Sequence, residues 1–100
     1  MISILVVDDD EDLLEMTAIM LRMSHFNVQT ISAGQLLFTQ LARERPKLVI
    51  LDIYLGDSDG RDLCRQIKNE EAYADIPVLL YSAINIPEES IKDSGADYFL

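Results

Sequence analysis

The chain has 100 residues, 49% of them hydrophobic, and eighteen acidic against eight basic side chains give it a net charge of −10. This length and composition suit one globular domain with a single core. The charge argues against direct binding to nucleic acid or to an anionic membrane, and it favours cations or basic partners. No secretory leader and no apolar run near the roughly 18 residues of a membrane span are visible, so we expect a cytoplasmic protein. The single cysteine, Cys64, excludes an internal disulfide and is predicted to lie in the core.

In the first half of the chain, strand-like segments alternate with segments in which apolar residues recur at helical spacing. Residues 2–7 are nearly all apolar and predict a strand that is covered on both faces, and the period changes to that of a helix at 12–24. The side chains predicted to face inward from this helix are Leu13, Met16, Thr17, Met20 and Leu21. Residues 26–31 alternate like a strand, and Ser32 is predicted to cap a helix over 33–45.

The second half continues the same alternation. The predicted elements are a strand at 47–51, a turn at 57–60, a helix with an inward stripe from Gly60 to Ile67, a strand at 78–81, a helix at 87–94 and a strand at 96–100. Gly95 is predicted to end the last helix, because glycine readily takes the left-handed conformation found there. The only histidine, His25, is predicted to lie at the C-terminal end of the first helix.

The alternation predicts an α/β fold with a doubly wound, five-stranded parallel sheet in the flavodoxin-like order 2-1-3-4-5. Right-handed crossovers place helices on both faces of such a sheet, and ligands bind beyond the carboxyl ends of its strands. A helix that should follow the last strand is missing from the chain. We therefore expect residues 1–100 to be one domain that is truncated within or just after its fifth strand.

Five consecutive acidic residues, Asp8 to Asp12, directly follow the first predicted strand. The last three are explained by the first turn of a helix, where the helix dipole favours negative charge. Asp8 and Asp9 stand instead at the carboxyl end of that strand, as Asp52 does after the third strand and Ser82 after the fourth. These ends are neighbours in the predicted order, so three carboxylates and a hydroxyl should converge. Carboxylates that repel one another, without histidine or cysteine, predict a site for a hard cation, Mg²⁺ above all, and for phosphate.

Four segments together make the chain resemble the receiver domain of two-component response regulators. They are ILVVDDD at 4–10, LVILDIYLGDSDG at 48–60, IPVLLYSA at 76–83 and GADYFL at 95–100. Their order, spacing and flanking strands all agree with that family. The resemblance implies a CheY-like regulatory phosphoacceptor that switches its surface for output. Such a domain is not a turnover enzyme, although it assists its own phosphotransfer and dephosphorylation.

The resemblance also implies a role for each residue of the site. Asp52 would accept the phosphoryl group from a sensor histidine kinase or a phosphotransfer protein. The Mg²⁺ ligands would be Asp8 (often through water), Asp9, Asp52 and the backbone carbonyl of Tyr54. The hydroxyl of Ser82 would bond the phosphoryl group, and Phe99 would be the aromatic switch that turns inward when that hydroxyl moves.

Three features set limits on the resemblance. Where the family usually has proline after the phosphoacceptor, this chain has Gly56, which we expect to loosen the loop without touching the chemistry. The family's phosphoryl-binding lysine would stand two positions beyond Leu100, and the final helix would contribute to the output face. Tyr54 and Ile84 occupy positions that border the phosphoryl group in this family. Their size favours a long-lived phosphoryl group, because large side chains hinder an attacking water; the alternative is that both are surface residues that only fill a groove.

Two other functions stay open on the sequence. Asp8 to Asp10 contains the D-x-D of haloacid dehalogenase phosphatases, but Glu11 and Asp12 stand where that family has a small β-branched and an apolar residue, and the chain is short for its core and cap. The second is a degenerate receiver that serves only as a protein-docking module. The intact acidic residues argue against it, and the absent lysine keeps it open. The output domain or partner is undetermined, and a homodimer is one option.

Overall fold

The computed structural model describes residues 2–100. Its elements, in chain order, are β1 (Ser3–Val7), α1 (Glu11–Met23), β2 (Asn27–Ile31), a 3-10 turn (Gly34–Leu36), α2 (Leu37–Arg43), β3 (Leu48–Asp52), β4 (Tyr54–Leu55), β5 (Ser58–Asp59), α3 (Gly60–Asn69), β6 (Val78–Tyr81), α4 (Glu88–Ser94) and β7 (Tyr98–Phe99). The longest helix, α1, has 13 residues, and no helix within residues 2–100 is long and apolar enough to cross a bilayer.

Five of the strands form one parallel sheet in the order β2-β1-β3-β6-β7. This confirms the predicted order, with β6 and β7 as the fourth and fifth strands of the sheet. The remaining two strands, β4 and β5, pair antiparallel as a small hairpin directly after β3. The sheet order puts the carboxyl ends of β1, β3 and β6 side by side, which is the arrangement that the predicted site requires.

Apolar side chains cover both faces of the sheet, as the nearly continuous apolar strands predicted. One core packs strand residues such as Val7 and Leu51 against α2, α3 and α4, and fully buried Cys64 belongs to it, as expected. The other core packs Ile4 and Val6 against α1. Because side chains alternate along a strand, β1, β2 and β3 contribute to both cores, and their positions within the sheet are well determined.

Most of the predicted inward face of α1 is wrong, although Leu21 does pack against the core on this side of the sheet. The buried residues of this helix are Leu14 and Ala18, whereas Leu13, Met16 and Met20 are 42%, 60% and 66% exposed. The helix carries two adjacent apolar stripes, and the prediction chose the one with the larger side chains. Small Ala18 instead lies against the sheet, where it allows a close approach of the helix. Hydrophobic periodicity identifies the helix but does not choose between neighbouring stripes.

The start of α2 also differs from the prediction. Ser32 does not cap it; the helix is preceded by a 3-10 turn whose N-cap, Ala33, makes no side-chain hydrogen bond. The free amides of Gly34 and Gln35 donate instead to the two carboxylate oxygens of Asp57, at 3.0 and 2.9 Å. The capping residue, Asp57, is at least 22 residues away in the sequence from the amides that it caps. No local sequence signal could therefore reveal it.

Two predicted helix ends are confirmed by their backbone conformation. Gly95 ends α4 with a φ of 80°. His25 follows α1 with a φ of 70°, and the amides of His25 and Phe26 donate to the carbonyls of Arg22 and Leu21 at 3.0 and 3.2 Å. These two bonds are those of a Schellman motif, in which glycine usually takes the left-handed position. Histidine at that position is strained by its Cβ atom.

Replacing His25 with glycine should stabilise the protein. Removal of the Cβ atom relieves the left-handed strain, so we expect His25→Gly to raise the free energy of unfolding by about 1 kcal/mol, measured by urea denaturation. The matched control is Ser24→Gly, because Ser24 has a φ of −91° and glycine relieves no strain there. An equal effect of the two substitutions would contradict the interpretation.

Candidate functional site

The alternation of side chains brings acidic groups to one edge of the sheet. Val6 and Ile50 pack on the side of the sheet that α1 covers, and they are register partners in β1 and β3. Two residues further along each strand, Asp8 and Asp52 lie on that same side. Tyr81 is the register partner of Asp52 in β6. Three polar side chains therefore stand in a row where three apolar strands end.

The carboxylates of Asp8, Asp9 and Asp52 meet as predicted. One oxygen from each lies within 4.8 Å of the others. Asp8 is only 1% exposed, Asp52 is partly buried and Asp9 is exposed. The donor set consists of oxygen atoms alone, which suits a hard divalent cation such as Mg²⁺ better than a transition metal. These three residues therefore fit the cation that the sequence predicted.

The environment of Asp52 is that of a carboxyl group among other anions. Its pKa is raised from 3.8 to about 6, first by burial and then by the charge of Asp8. The charge of Asp9 acts in the same direction, whereas the amide of Tyr54, which donates to Asp52 at 3.3 Å, lowers the pKa. The negative charges of Asp8 and Asp9 therefore both oppose the ionisation of Asp52.

A side chain that the sequence analysis missed contacts the most buried carboxylate. Tyr81 donates a hydrogen bond from its hydroxyl to Oδ2 of Asp8, and the amide of Asp10 donates to Oδ1 at 2.9 Å. Burial, followed by the bond to Asp8, raises the pKa of Tyr81, so the phenol stays protonated and remains a donor. The available signal was a tyrosine at the carboxyl end of an otherwise apolar strand, directly before Ser82.

The hairpin formed by β4 and β5 contacts the site through its turn. Gly56 donates its amide to Oδ2 of Asp9 at 3.0 Å. The effect of Gly56 on the chemistry stays a prediction, but its amide does contact the site, and proline at this position would have no N–H for the same bond. The predicted turn at 57–60 is corrected, because the turn lies at Gly56 and Asp57 while Ser58 and Asp59 pair as β5.

Close backbone packing holds the base of this hairpin. The amide of Gly60 donates to the carbonyl of Ile53 at 2.7 Å, and a Cβ atom on Gly60 would lie only 2.2 Å from the backbone oxygen of Asp52. Any larger residue would push the backbone of Asp52 away. Glycine is therefore required at position 60 because there is no space for a Cβ atom, and not because its backbone takes a conformation that other residues avoid.

The ring of Tyr54 lies at the exposed rim of the site. The guanidinium of Arg61 lies over it, 5.9 Å from the ring centroid, and Arg61 is itself paired with Asp59 at 2.6 Å. Tyr54 is 47% exposed, so the ring is held from one side and open to solvent on the other. The role of its backbone carbonyl as a metal ligand stays a prediction.

Ser82 lies just beyond the end of β6, and Phe99 lies in β7. Ser82 directly follows β6, and its hydroxyl oxygen accepts a hydrogen bond from the amide of Ile84 at 3.2 Å. Phe99 pairs with Leu80 across β6 and β7 and is 42% exposed. Both positions are compatible with the roles that the resemblance implies, and those roles stay predictions.

Comparison with known proteins identifies the family. A family model described as the response regulator receiver domain matches residues 4–100. The chain belongs to this receiver domain family. Membership confirms the resemblance and leaves the haloacid dehalogenase alternative without support.

Relatives of this receiver domain include longer regulatory proteins. It is 37% identical over 102 residues to the DNA-binding dual master transcriptional regulator RpaA of Synechocystis, with 97% of this chain and 41% of that protein covered. It is 34% identical over 100 residues to the transcriptional regulatory protein GltR of Pseudomonas aeruginosa, with 98% and 41% covered. The chain thus spans about two fifths of these relatives.

Solved structures share the fold of this receiver domain. The N-terminal domain of a response regulator receiver protein from Methanoculleus marisnigri has a TM-score of 0.90 at 30% identity, covering 98% of this chain and 81% of that one. The chemotaxis protein CheY4 of Vibrio cholerae has a TM-score of 0.92 at 22% identity, covering 100% and 85%. The second likeness concerns the fold alone.

Replacing Asp52 with asparagine should stabilise the metal-free protein at neutral pH. Because the folded state raises the pKa of Asp52 to about 6, the stability that this group contributes is present below its unfolded value of 3.8 and is lost as the pH rises through 6. Solvent screens this partly exposed group, so we expect Asp52→Asn to gain only about 1 kcal/mol in unfolding free energy at pH 7.5.

The measurement is urea denaturation in the presence of a chelator at pH 7.5 and pH 4. The gain from Asp52→Asn should nearly vanish at the lower pH, where the wild-type carboxyl group is protonated. Asp93→Asn, at an exposed position of α4, is the control and should show no such difference. An equal gain from Asp52→Asn at both values would contradict the electrostatic explanation.

Proposed function

We propose that this receiver domain accepts a phosphoryl group on Asp52, with Mg²⁺ as cofactor, and that phosphorylation switches its surface for output. The observation that carries the proposal is the meeting of three carboxylate oxygens within 4.8 Å at the carboxyl edge of the sheet. Asp52 stands among other carboxylates, and the phosphoryl group is also negatively charged. Asp52 can therefore accept it only when a cation offsets the repulsion. A purely structural edge would have no reason to bury Asp8 beside Asp52.

The residues that would hold Mg²⁺ are Asp8, Asp9, Asp52 and the backbone carbonyl of Tyr54. When bound, the cation would neutralise carboxylate charge and stabilise the negative charge of the transferred group. The chain itself orients the ligands: Asp10 and Tyr81 donate to Asp8, and Gly56 donates to Asp9. Few additional movements are then needed to form the site.

In the transfer step, a carboxylate oxygen of Asp52 forms a bond to phosphorus while the bond from phosphorus to a histidine nitrogen of the donor breaks. The electron pair of that bond stays on the imidazole nitrogen. The hydroxyl of Ser82 would donate to a phosphoryl oxygen, and it is able to, because in its bond with Ile84 the hydroxyl oxygen is the acceptor. The donor would be a sensor histidine kinase or a phosphotransfer protein, as membership in this family supports. The domain assists this transfer, and no substrate is turned over.

Output would begin at Ser82 and pass to Phe99, whose ring is 42% exposed and would turn inward on phosphorylation. Named relatives are DNA-binding regulators, but with a charge of −10 we propose that this domain does not itself contact nucleic acid. A cytoplasmic location fits its kinase partner. The response would therefore pass to another domain, to a protein partner or to a second copy in a homodimer.

We further propose that the domain continues with a lysine and a final helix, as its family implies. An apolar groove on the α1 side of the sheet supports this. Its lining includes Leu13, Ile50, Leu79 and Leu100. A helix packed there would cover these side chains and bring the lysine toward Asp52.

Intact mass spectrometry tests the phosphoacceptor. The protein would be incubated with Mg²⁺ and a small acyl phosphate, beside Asp52→Asn and a sample with chelator. We expect one phosphoryl group on the wild type with Mg²⁺ and none on either control, because both the acceptor and the cation are required. No gain, either in this chain or in one extended through the lysine and helix, would leave a docking module as the better function.

Truncating the large side chains beside the site should shorten the lifetime of the phosphoryl group. Tyr54 and Ile84 are 47% and 58% exposed beside the site, and we propose that they hinder an attacking water. We expect Tyr54→Ala and Ile84→Ala to speed the loss of label from the purified phosphoprotein severalfold, followed by mass spectrometry over time. Tyr98→Ala, on β7 and 60% exposed, is the control. Unchanged decay in both rim variants would refute this function for the two side chains.

A further inference from the structure

We propose that Tyr81 is a positioning residue of the metal centre: its hydroxyl holds the carboxylate of Asp8 in the orientation that the divalent cation needs. The inference deepens the proposed function and rests on its metal site. The observation behind it is the direct hydrogen bond from the Tyr81 hydroxyl to Oδ2 of Asp8.

The sheet makes this contact specific. Tyr81 stands opposite Asp52 on the neighbouring strand, whereas Asp8 follows β1, one strand further away. Neighbouring strands lie about 4.8 Å apart, so the side chain must reach past Asp52 to contact Asp8. A shorter hydroxyl such as that of serine or threonine would not span this distance. Only a long, rigid donor on β6 makes the bond.

Asp8 needs its donors because it is nearly inaccessible to solvent. It is 1% exposed, and a buried carboxylate without hydrogen bonds is costly. Asp10 engages one of its oxygens and Tyr81 the other, so the carboxylate cannot rotate without losing a bond. Each carboxylate oxygen can accept more than one bond, so both contacts can persist when the cation, or its bound water, is present.

Tyr81 differs from the other donors of the cluster. Asp9 and Asp52 receive backbone amides, from Gly56 and Tyr54. Within residues 2–100, Tyr81 is the only residue whose side chain donates to any of the three carboxylates, and the one it contacts is Asp8. Its hydroxyl can therefore be removed by Tyr81→Phe with the ring and the backbone retained. Hydrogen-bond partners outside the ligand shell typically contribute about 10–100-fold to metal affinity.

The test is a Mg²⁺ titration of the backbone amides by NMR, carried out on the wild type, Tyr81→Phe and the control Tyr98→Phe. We expect Tyr81→Phe to bind Mg²⁺ about tenfold more weakly and Tyr98→Phe to match the wild type. A hydroxyl that served only the stability of the fold would change the unfolding transition and leave the affinity unaltered. Equal or tighter binding by Tyr81→Phe would overturn the inference while the proposed function stands. Absence of binding by the wild type would overturn both.

A second measurement does not depend on the folding of that variant. The four tyrosines can be labelled with ¹³C at the ring carbon that bears the hydroxyl. Tyr54→Phe, Tyr73→Phe and Tyr98→Phe each remove one signal, and the signal that survives all three belongs to Tyr81. This signal should shift on Mg²⁺ addition with the same midpoint as the Tyr54 amide. A signal that stays in place while the amide shifts would refute the contact with the metal centre.

Discussion

Repulsion among three carboxylates at the edge of one sheet is the constraint on which the rest of this structure depends. Parallel strands bring their carboxyl ends to the same edge, and side-chain alternation sets Asp8 beside Asp52 on the face that α1 covers. The pKa of Asp52 is raised first by its burial and then by the charge of Asp8 beside it. A cation bound here would offset the charges around Asp52, and a phosphoryl group on Asp52 would add to them. That balance is what a regulatory switch requires.

Neutral donors hold the crowded carboxylates in place. They come from three different parts of the chain, namely the start of α1, the hairpin after β3 and the end of β6. Hydrogen bonds from neutral groups orient a carboxylate without cancelling its charge, so its attraction for a cation remains. The hairpin has a second function, because Asp57 in its turn caps the turn before α2. The same short segment thus links the acidic cluster to a helix on the opposite face of the sheet.

Sequence-based predictions failed where the deciding partner is distant along the chain. Ser32 has the chemistry of a helix cap, yet Asp57 performs that function from the neighbouring loop. Most of the inward face of α1 was misassigned, because two apolar stripes satisfy the same helical period and only packing against the sheet chooses between them. The contact of the Gly56 amide with Asp9 was missed, because Gly56 was judged by its flexibility. In each case the local sequence pattern was present, but the residue or surface that it contacts lies far away in the sequence and could not be identified from it.

By itself, the sequence determined the order of strands and helices, the five-stranded parallel sheet and the three acidic residues at its edge. It could do so because periodicity, strand ends and chain order are local properties, and a parallel sheet has few allowed connections. Only the tertiary structure decided which donors serve each carboxylate, that Tyr81 reaches Asp8, and which stripe of α1 is buried. Those features depend on distances between segments far apart in the chain, and such distances exist only after the core has packed.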